Sequence, residues 1–95
     1  MQLNEESKRH HAWLKEMGWV GVTTPLEQLA LIASEVGEAV NECRGKTPTD
    51  KLRLELADIV LRVLGLAENQ GIDMEKAIED KMALNRENGN RGRAK

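Results

Sequence analysis

Two carboxylate pairs, each three residues apart and each set inside a long aliphatic stretch, constrain this chain more than any other feature. The first is Glu35-Val36-Gly37-Glu38 and the second is Glu55-Leu56-Ala57-Asp58, with residues 39–54 between them. In a helix, residues i and i+3 share a face, with Cβ atoms about 5–6 Å apart. Two such helices packed antiparallel bring four carboxylates into one small volume. That arrangement is repulsive unless a cation compensates it, and hard divalent ions such as Mg²⁺ are the usual oxygen-bound answer. The small companions Gly37 and Ala57 would let the two helices approach closely. The alternative is that Glu35, Glu38 and Asp58 are solvated face charges, as most helical carboxylates are. An ordinary i,i+4 ion pair between Asp58 and Arg62 belongs to that alternative.

The flanking residues define four helices. Residues 4 to 17 read as a first, mostly polar helix with a thin apolar stripe (Leu14, Met17, Trp13), closed by Gly18 as a left-handed cap. His10 and His11 on this helix read as solvated. A second helix begins at Thr24-Pro25-Leu26-Glu27, which offers a Thr N-cap, Pro at the first helical position and Glu to complete a capping box. It is expected to run to Arg44 and stop at Gly45. At about 100° per residue, Leu26, Leu29, Ala33, Val36, Val40 and Cys43 form its core face, with Glu35, Glu38 and Glu42 nearly opposite. Leu31 among those acids hints that the acidic side is covered too.

Thr47-Pro48-Thr49-Asp50 repeats the same start signal, so the third helix is expected from Pro48 to about Gln70, with Gly71 as its cap. It is aliphatic nearly all round, the pattern of a buried helix, and a narrow stripe of Lys51, Glu55, Asp58 and Arg62 interrupts it. Asp73 caps a fourth helix whose inward stripe starts as Met74 and Ile78 and continues as Lys81, Asn85 and Asn88. A face that turns from apolar to ammonium and amide fits a site beneath its C-terminal half. The fold class is therefore all-α, a four-helix bundle with two long antiparallel helices at its centre.

Ninety-five residues make a single domain, 1–95. It divides into an N-terminal helix and Trp loop (1–23), a helical core (24–88) and a flexible basic tail (89–95). A chain this short buries only about 60–65% of its unfolded surface, which favours completion by dimerisation. With no Phe or Tyr and only two Trp, aliphatic residues supply the core. The net charge of −2 argues against a nucleic-acid partner. The single Cys43 excludes an internal disulfide and suits a reducing cytoplasm, and no apolar run is long enough for a membrane span.

The run from Leu29 to Gly45, then Glu55-Leu56-Ala57-Asp58, then Gly71-Ile72-Asp73 with Lys81 and Asn85, resembles the MazG-like all-α nucleoside triphosphate pyrophosphohydrolases. Their signature is ExxE, a spacer, then ExxD, matched here by Glu35/Glu38 and Glu55/Asp58, commonly followed by a Lys-x-x-x-Asn element. The resemblance covers about residues 19 to 88. It implies Mg²⁺, with Mn²⁺ as a substitute, bound through Glu35, Glu38, Glu55 and Asp58, and cleavage of a nucleoside triphosphate between its α and β phosphates. It further implies a homodimer or dimer of dimers and a house-cleaning role. Glu35 and Glu38 are the candidate catalytic carboxylates, and a carboxylate of the cluster, Glu38 among the candidates, would take a proton from water.

Two departures are visible. Ser34 and Leu54 stand where many members carry an additional Glu, which leaves the metal number and the identity of the base open. Phosphoribosyl-ATP pyrophosphatase shares the carboxylate pairs, and a non-catalytic helical dimerisation module is the rival from another class. Lys81 and Asn85 are candidates for phosphate and sugar contact, beside the plainer roles of dipole complement and helix cap. Trp19 matches a nucleobase-stacking tryptophan of some members and is equally readable as a core anchor.

Overall fold

The computed structural model describes residues 2–18, 24–45 and 47–89. Among them are four helices and no strand: α1 (Leu3–Glu16), α2 (Pro25–Asn41), α3 (Leu52–Asn69) and α4 (Met74–Gly89). α2 and α3 form the most extensive pair, α1 lies against α3, and α4 packs on α1. The all-α, four-helix expectation therefore holds. No described helix is long and apolar enough to cross a membrane.

Local chemistry explains most of the boundaries. The Thr24 hydroxyl accepts the Glu27 N–H at 3.1 Å, and the Thr24 N–H donates to Glu27 Oε1 at 2.8 Å, completing the capping box ahead of Pro25. Gly18 takes φ +73° after α1 and sends its N–H to the Lys15 carbonyl. At the end of α3, Gly71 takes φ +66°. Its N–H goes to the Glu68 carbonyl and that of Ile72 to Ala67, the paired bonds of a Schellman turn. The Asp73 carboxylate then accepts the Lys76 N–H at 3.1 Å and the Asn4 side-chain amide at 2.7 Å. Asn4 also donates its backbone N–H to Glu75, so the first turns of α1 and α4 cap one another. These bonds, the one from Asn4 foremost, hold the Asp73 carboxyl below its ordinary pKa.

Thr47-Pro48-Thr49-Asp50 does not start a helix. Thr49 donates its N–H to the Glu42 carbonyl and its hydroxyl to the Glu42 carboxylate. The residues expected to open α3 instead close the turn behind α2. In consequence α2 ends at Asn41 rather than Arg44, and α3 starts at Leu52; its N-cap residue Lys51 makes no side-chain cap bond, and the Thr49 hydroxyl accepts the Lys51 N–H at 3.2 Å.

The larger correction concerns which face of α2 is inside. Leu26, Leu29, Ala33, Val36, Val40 and Cys43, expected as core, are all exposed. The covered residues are Gln28, Ile32, Glu35, Ala39 and Glu42, an i, i+4, i+7 series in its own right. On α3 the partly covered set Leu52, Glu55, Ile59, Val63 and Leu66 has the same spacing. The acidic stripe of α2 therefore meets α3, and the purely aliphatic stripe faces outward. Gly37 and Ala57 are not the close-approach points expected: both are exposed, and a Cβ built on Gly37 meets nothing within 4 Å.

The aliphatic core is correspondingly thin, with Ala39, Leu64 and Ala67 its buried apolar members among the described residues. Its other contributor is α1. Ser7 is buried with its hydroxyl 3.4 Å from the Leu64 carbonyl. His10 and His11, expected in solvent, are half-buried and line a small recess with Leu14, Leu61, Leu64 and Gly65.

A paired substitution separates backbone strain from packing. A Cβ at Gly71 would meet nothing within 4 Å, so Gly71→Ala tests the left-handed backbone alone, and it should lower unfolding free energy by about 1–2 kcal/mol in urea titrations. Gly65 lies inside α3 with open space around it, and Gly65→Ala should raise stability by about 0.5–1 kcal/mol.

Candidate metal centre

Because α2 and α3 run antiparallel, their carboxylates meet side by side. Glu35 of α2 and Glu55 and Asp58 of α3 each offer an oxygen, and the three oxygens lie within 4.8 Å of one another. Glu35 is buried, at 8% exposure, Glu55 is half-buried and Asp58 faces solvent. The cluster thus grades from buried at Glu35 to exposed at Asp58. Glu38 is exposed and does not join the three-oxygen group, yet its charge acts on Glu55 more strongly than that of any other neighbour. Glu38 therefore sits at the rim.

Glu55 carries the strain of the arrangement. Its Oε1 is buried and has no hydrogen-bond partner, a rare condition for a carboxylate oxygen in a folded protein. Desolvation first, then the charges of Glu38, Glu35, Asp58 and Glu42, push its carboxyl above the ordinary pKa. Those four neighbouring charges are all negative. Glu35 is relieved differently: Arg62 of α3 reaches across the seam and donates Nε–H to Glu35 Oε1 at 2.8 Å. The helix-local pairing of Arg62 with Asp58 is not what forms. The visible sequence signal was an Arg in the one polar stripe of an otherwise aliphatic helix, but register across the seam decides its partner.

The donor set fits a hard divalent cation. All three ligand atoms are carboxylate oxygens, and Glu55, one of the three residues, has a buried Oε1 with no hydrogen-bond partner among the described residues. Opposite ligands of Mg²⁺ stand about 4.2 Å apart, twice its bond length of 2.0–2.1 Å. The three carboxylate oxygens lie within 4.8 Å of one another, the scale of a shared coordination sphere.

The remaining sequence candidates lie elsewhere. Lys81 and Asn85 are exposed on α4, whose packing is against α1, so within one chain α4 does not provide the cover expected over the acids. Trp19 falls outside the described residues.

The raised pKa of Glu55 gives a test that needs no ligand. A carboxyl whose folded pKa lies above its unfolded value contributes stability below about pH 4.3, and that contribution is lost as pH rises through the folded pKa. In chelator-treated protein, Glu55→Gln should therefore melt with the wild type at pH 4 and at a higher temperature at pH 7. Thermal melts followed by circular dichroism at the two pH values check this.

The comparisons with known proteins bear on the same residues. A dATP/dGTP diphosphohydrolase from Cyanophage S-2L is 36% identical over 58 residues, which is 61% of this chain and 50% of that protein. The chain spans about half the length of that curated relative. No solved structure matches the chain. A model of the MazG nucleotide pyrophosphohydrolase domain matches residues 23–87, a span that contains all of α2 and α3, both carboxylate pairs and most of α4. The chain belongs to the MazG nucleotide pyrophosphohydrolase domain family.

Proposed function

We propose that this chain is a divalent-metal-dependent nucleotide pyrophosphohydrolase that hydrolyses a nucleoside triphosphate to a monophosphate and pyrophosphate. The observation that carries this reading is the unpartnered buried Oε1 of Glu55 inside a three-carboxylate cluster, in a chain of this family. Glu35, Glu55 and Asp58 would hold Mg²⁺ or Mn²⁺, with Glu38 turning in from the rim as a fourth ligand. When bound, the cation supplies charge neutralisation for the phosphates and electrophilic assistance at phosphorus.

The chain's own residues have separable tasks. Arg62 fixes the orientation of Glu35 through its Nε–H bond. Glu38, exposed beside the cluster, accepts the proton of the attacking water, and Glu35 lies within the same cluster as the other catalytic carboxylate. Water adds to phosphorus at the α–β bridge, and pyrophosphate leaves. Lys81, Asn85 and Trp19 are assigned to phosphate, sugar and base. Because Lys81 and Asn85 are exposed on a helix that packs against α1, delivery by a second copy suits them.

The exposed aliphatic stripe Leu26, Leu29, Val36 and Val40 supports a homodimer or dimer of dimers, since a patch of that kind on a small chain calls for a protein cover. The named activity of the cyanophage relative supports purine deoxynucleoside triphosphates as the first substrates to examine. A house-cleaning role in the cytoplasm completes the reading.

A pyrophosphate-release screen across nucleoside and deoxynucleoside triphosphates, with Mg²⁺ or Mn²⁺, tests the activity. Glu38→Gln should lower kcat by about 10²–10⁴-fold. In the absence of nucleotide, saturating Mg²⁺ should raise the melting temperature of the wild type, by about 2.7 kcal/mol of stabilisation at one hundred times Kd. Glu55→Gln should abolish that response. A wild-type chain that releases no pyrophosphate and gains no stability from either ion is instead a helical interaction module.

A further inference from the structure

The basic partner of the cluster uses only part of its hydrogen-bonding capacity. Arg62 holds Glu35 through Nε alone, at 2.8 Å, and the terminal amino groups of its guanidinium make no hydrogen bond to any described residue. Its side chain is 44% exposed while that of Glu35 is 11% exposed, so the anchored edge lies in the seam and the other edge reaches solvent. An Arg placed only to neutralise Glu35 has no need of this geometry. A guanidinium carries five N–H donors in a rigid fork, and the edge formed by its two terminal nitrogens matches a phosphate bidentately.

Charge at the site points the same way. Glu38, Glu35, Asp58 and Glu42 all act on Glu55 around this seam, each with negative charge. A triphosphate approaching these acids is repelled by every one of them. One divalent cation offsets two of the five, and Arg62 is the cation the structure pairs directly with a cluster carboxylate. Its free edge is therefore the electrostatic landing point that a phosphate oxygen would otherwise lack.

We propose that Arg62 is a phosphate-binding residue of this site, held in place by Glu35 through Nε and presenting its two terminal amino groups to a phosphate of the nucleotide. The proposal rests on the pyrophosphohydrolase reading above and adds a substrate ligand to it. It also divides labour at the cluster: Glu55 and Asp58 face the metal, while Glu35 orients both metal and Arg62.

The experiment compares Arg62→Lys and Arg62→Met with wild type, using two binding measurements and no turnover. The first is Mn²⁺ affinity by calorimetry in the absence of nucleotide. The second is affinity for a non-hydrolysable α,β-methylene deoxynucleoside triphosphate at saturating Mn²⁺, with circular dichroism melts confirming that each variant is folded. Loss of charge-assisted bonds should weaken the analogue about 10–100-fold in Arg62→Met. Arg62→Lys should fall between, because an ammonium that stays on Glu35 cannot also grip a phosphate with a fork. Mn²⁺ affinity should be unchanged or tighter, since a competing positive charge has been reduced or removed.

Two results overturn the proposal: analogue affinity equal to wild type in both variants, or Mn²⁺ and analogue affinities falling together, which would make Arg62 a support for Glu35 alone. A wild-type chain that binds neither Mn²⁺ nor the analogue overturns the metal-centre reading itself, and this proposal with it. Wild-type binding of both with unaffected variants overturns only the role of Arg62.

Discussion

Glu35, Glu55 and Asp58 crowd their oxygens within 4.8 Å of one another in a seam that two helices would ordinarily fill with aliphatic carbon. Each ionised carboxylate there raises the cost of ionising the next. The protein relieves one of them with Arg62 and leaves another, Glu55, with a buried oxygen unpartnered and a proton held more tightly than usual. Maintaining that configuration without a ligand works against folding. Ile32 and Ala39 on α2 and Ile59 and Val63 on α3 are covered on the same faces as Glu35 and Glu55, and the turn closed by Thr49 on Glu42 fixes the register at one end.

The orientation of α2 follows from that seam. A helix with an acidic stripe and an aliphatic stripe on opposite sides should bury the second and solvate the first. Here the acidic stripe lies against α3, and Leu26, Leu29, Val36 and Val40 are left facing outward. Hydrophobic burial alone would choose the opposite arrangement. It becomes understandable if both sides of α2 end up covered, the acidic side by its own chain and the aliphatic side by another. The thin interior of the single chain, with Ala39, Leu64 and Ala67 as its buried apolar residues, has the same implication. Such a chain has much of its apolar surface still to bury.

What could be read in the sequence follows how local each determinant is. The Thr24 capping box, the Gly18 and Gly71 caps and the Asp73 N-cap depend on neighbours a few residues away, and each forms as expected. Thr47-Pro48-Thr49-Asp50 carries the same local signal but fails, because Thr49 is drawn to Glu42, a partner seven residues back. Of the two carboxylate pairs read as one cluster, Glu35, Glu55 and Asp58 converge and Glu38 lies outside the three-oxygen group. The pairing of Arg62 was not legible, since i,i+4 geometry favours Asp58 and only the register between α2 and α3 brings Glu35 closer. The inward face of α2 was missed for a related reason. Its series Gln28, Ile32, Glu35, Ala39 and Glu42 has ideal spacing, but a scale that scores glutamate as polar cannot recognise it as a packing face. The position of Lys81 and Asn85 depends on which helix α4 packs against, and no periodicity encodes that.

Placing the acids within a single chain also has a geometric rationale. A cation tolerates displacements of only a few tenths of an ångström in its ligands, so its donors are best carried by rigid helices whose mutual register is set by continuous packing and a short connection. α2 and α3, joined through the Glu42–Thr49 turn, meet that requirement in one folding event. An aliphatic interface is more forgiving, because apolar burial is non-directional and tolerates small shifts in register. The exacting half of α2 is accordingly satisfied internally, and the permissive half is the one left exposed. A cation entering the seam would then relieve the repulsion that opposes α2–α3 packing, so that occupancy of the site and stability of the fold rise together.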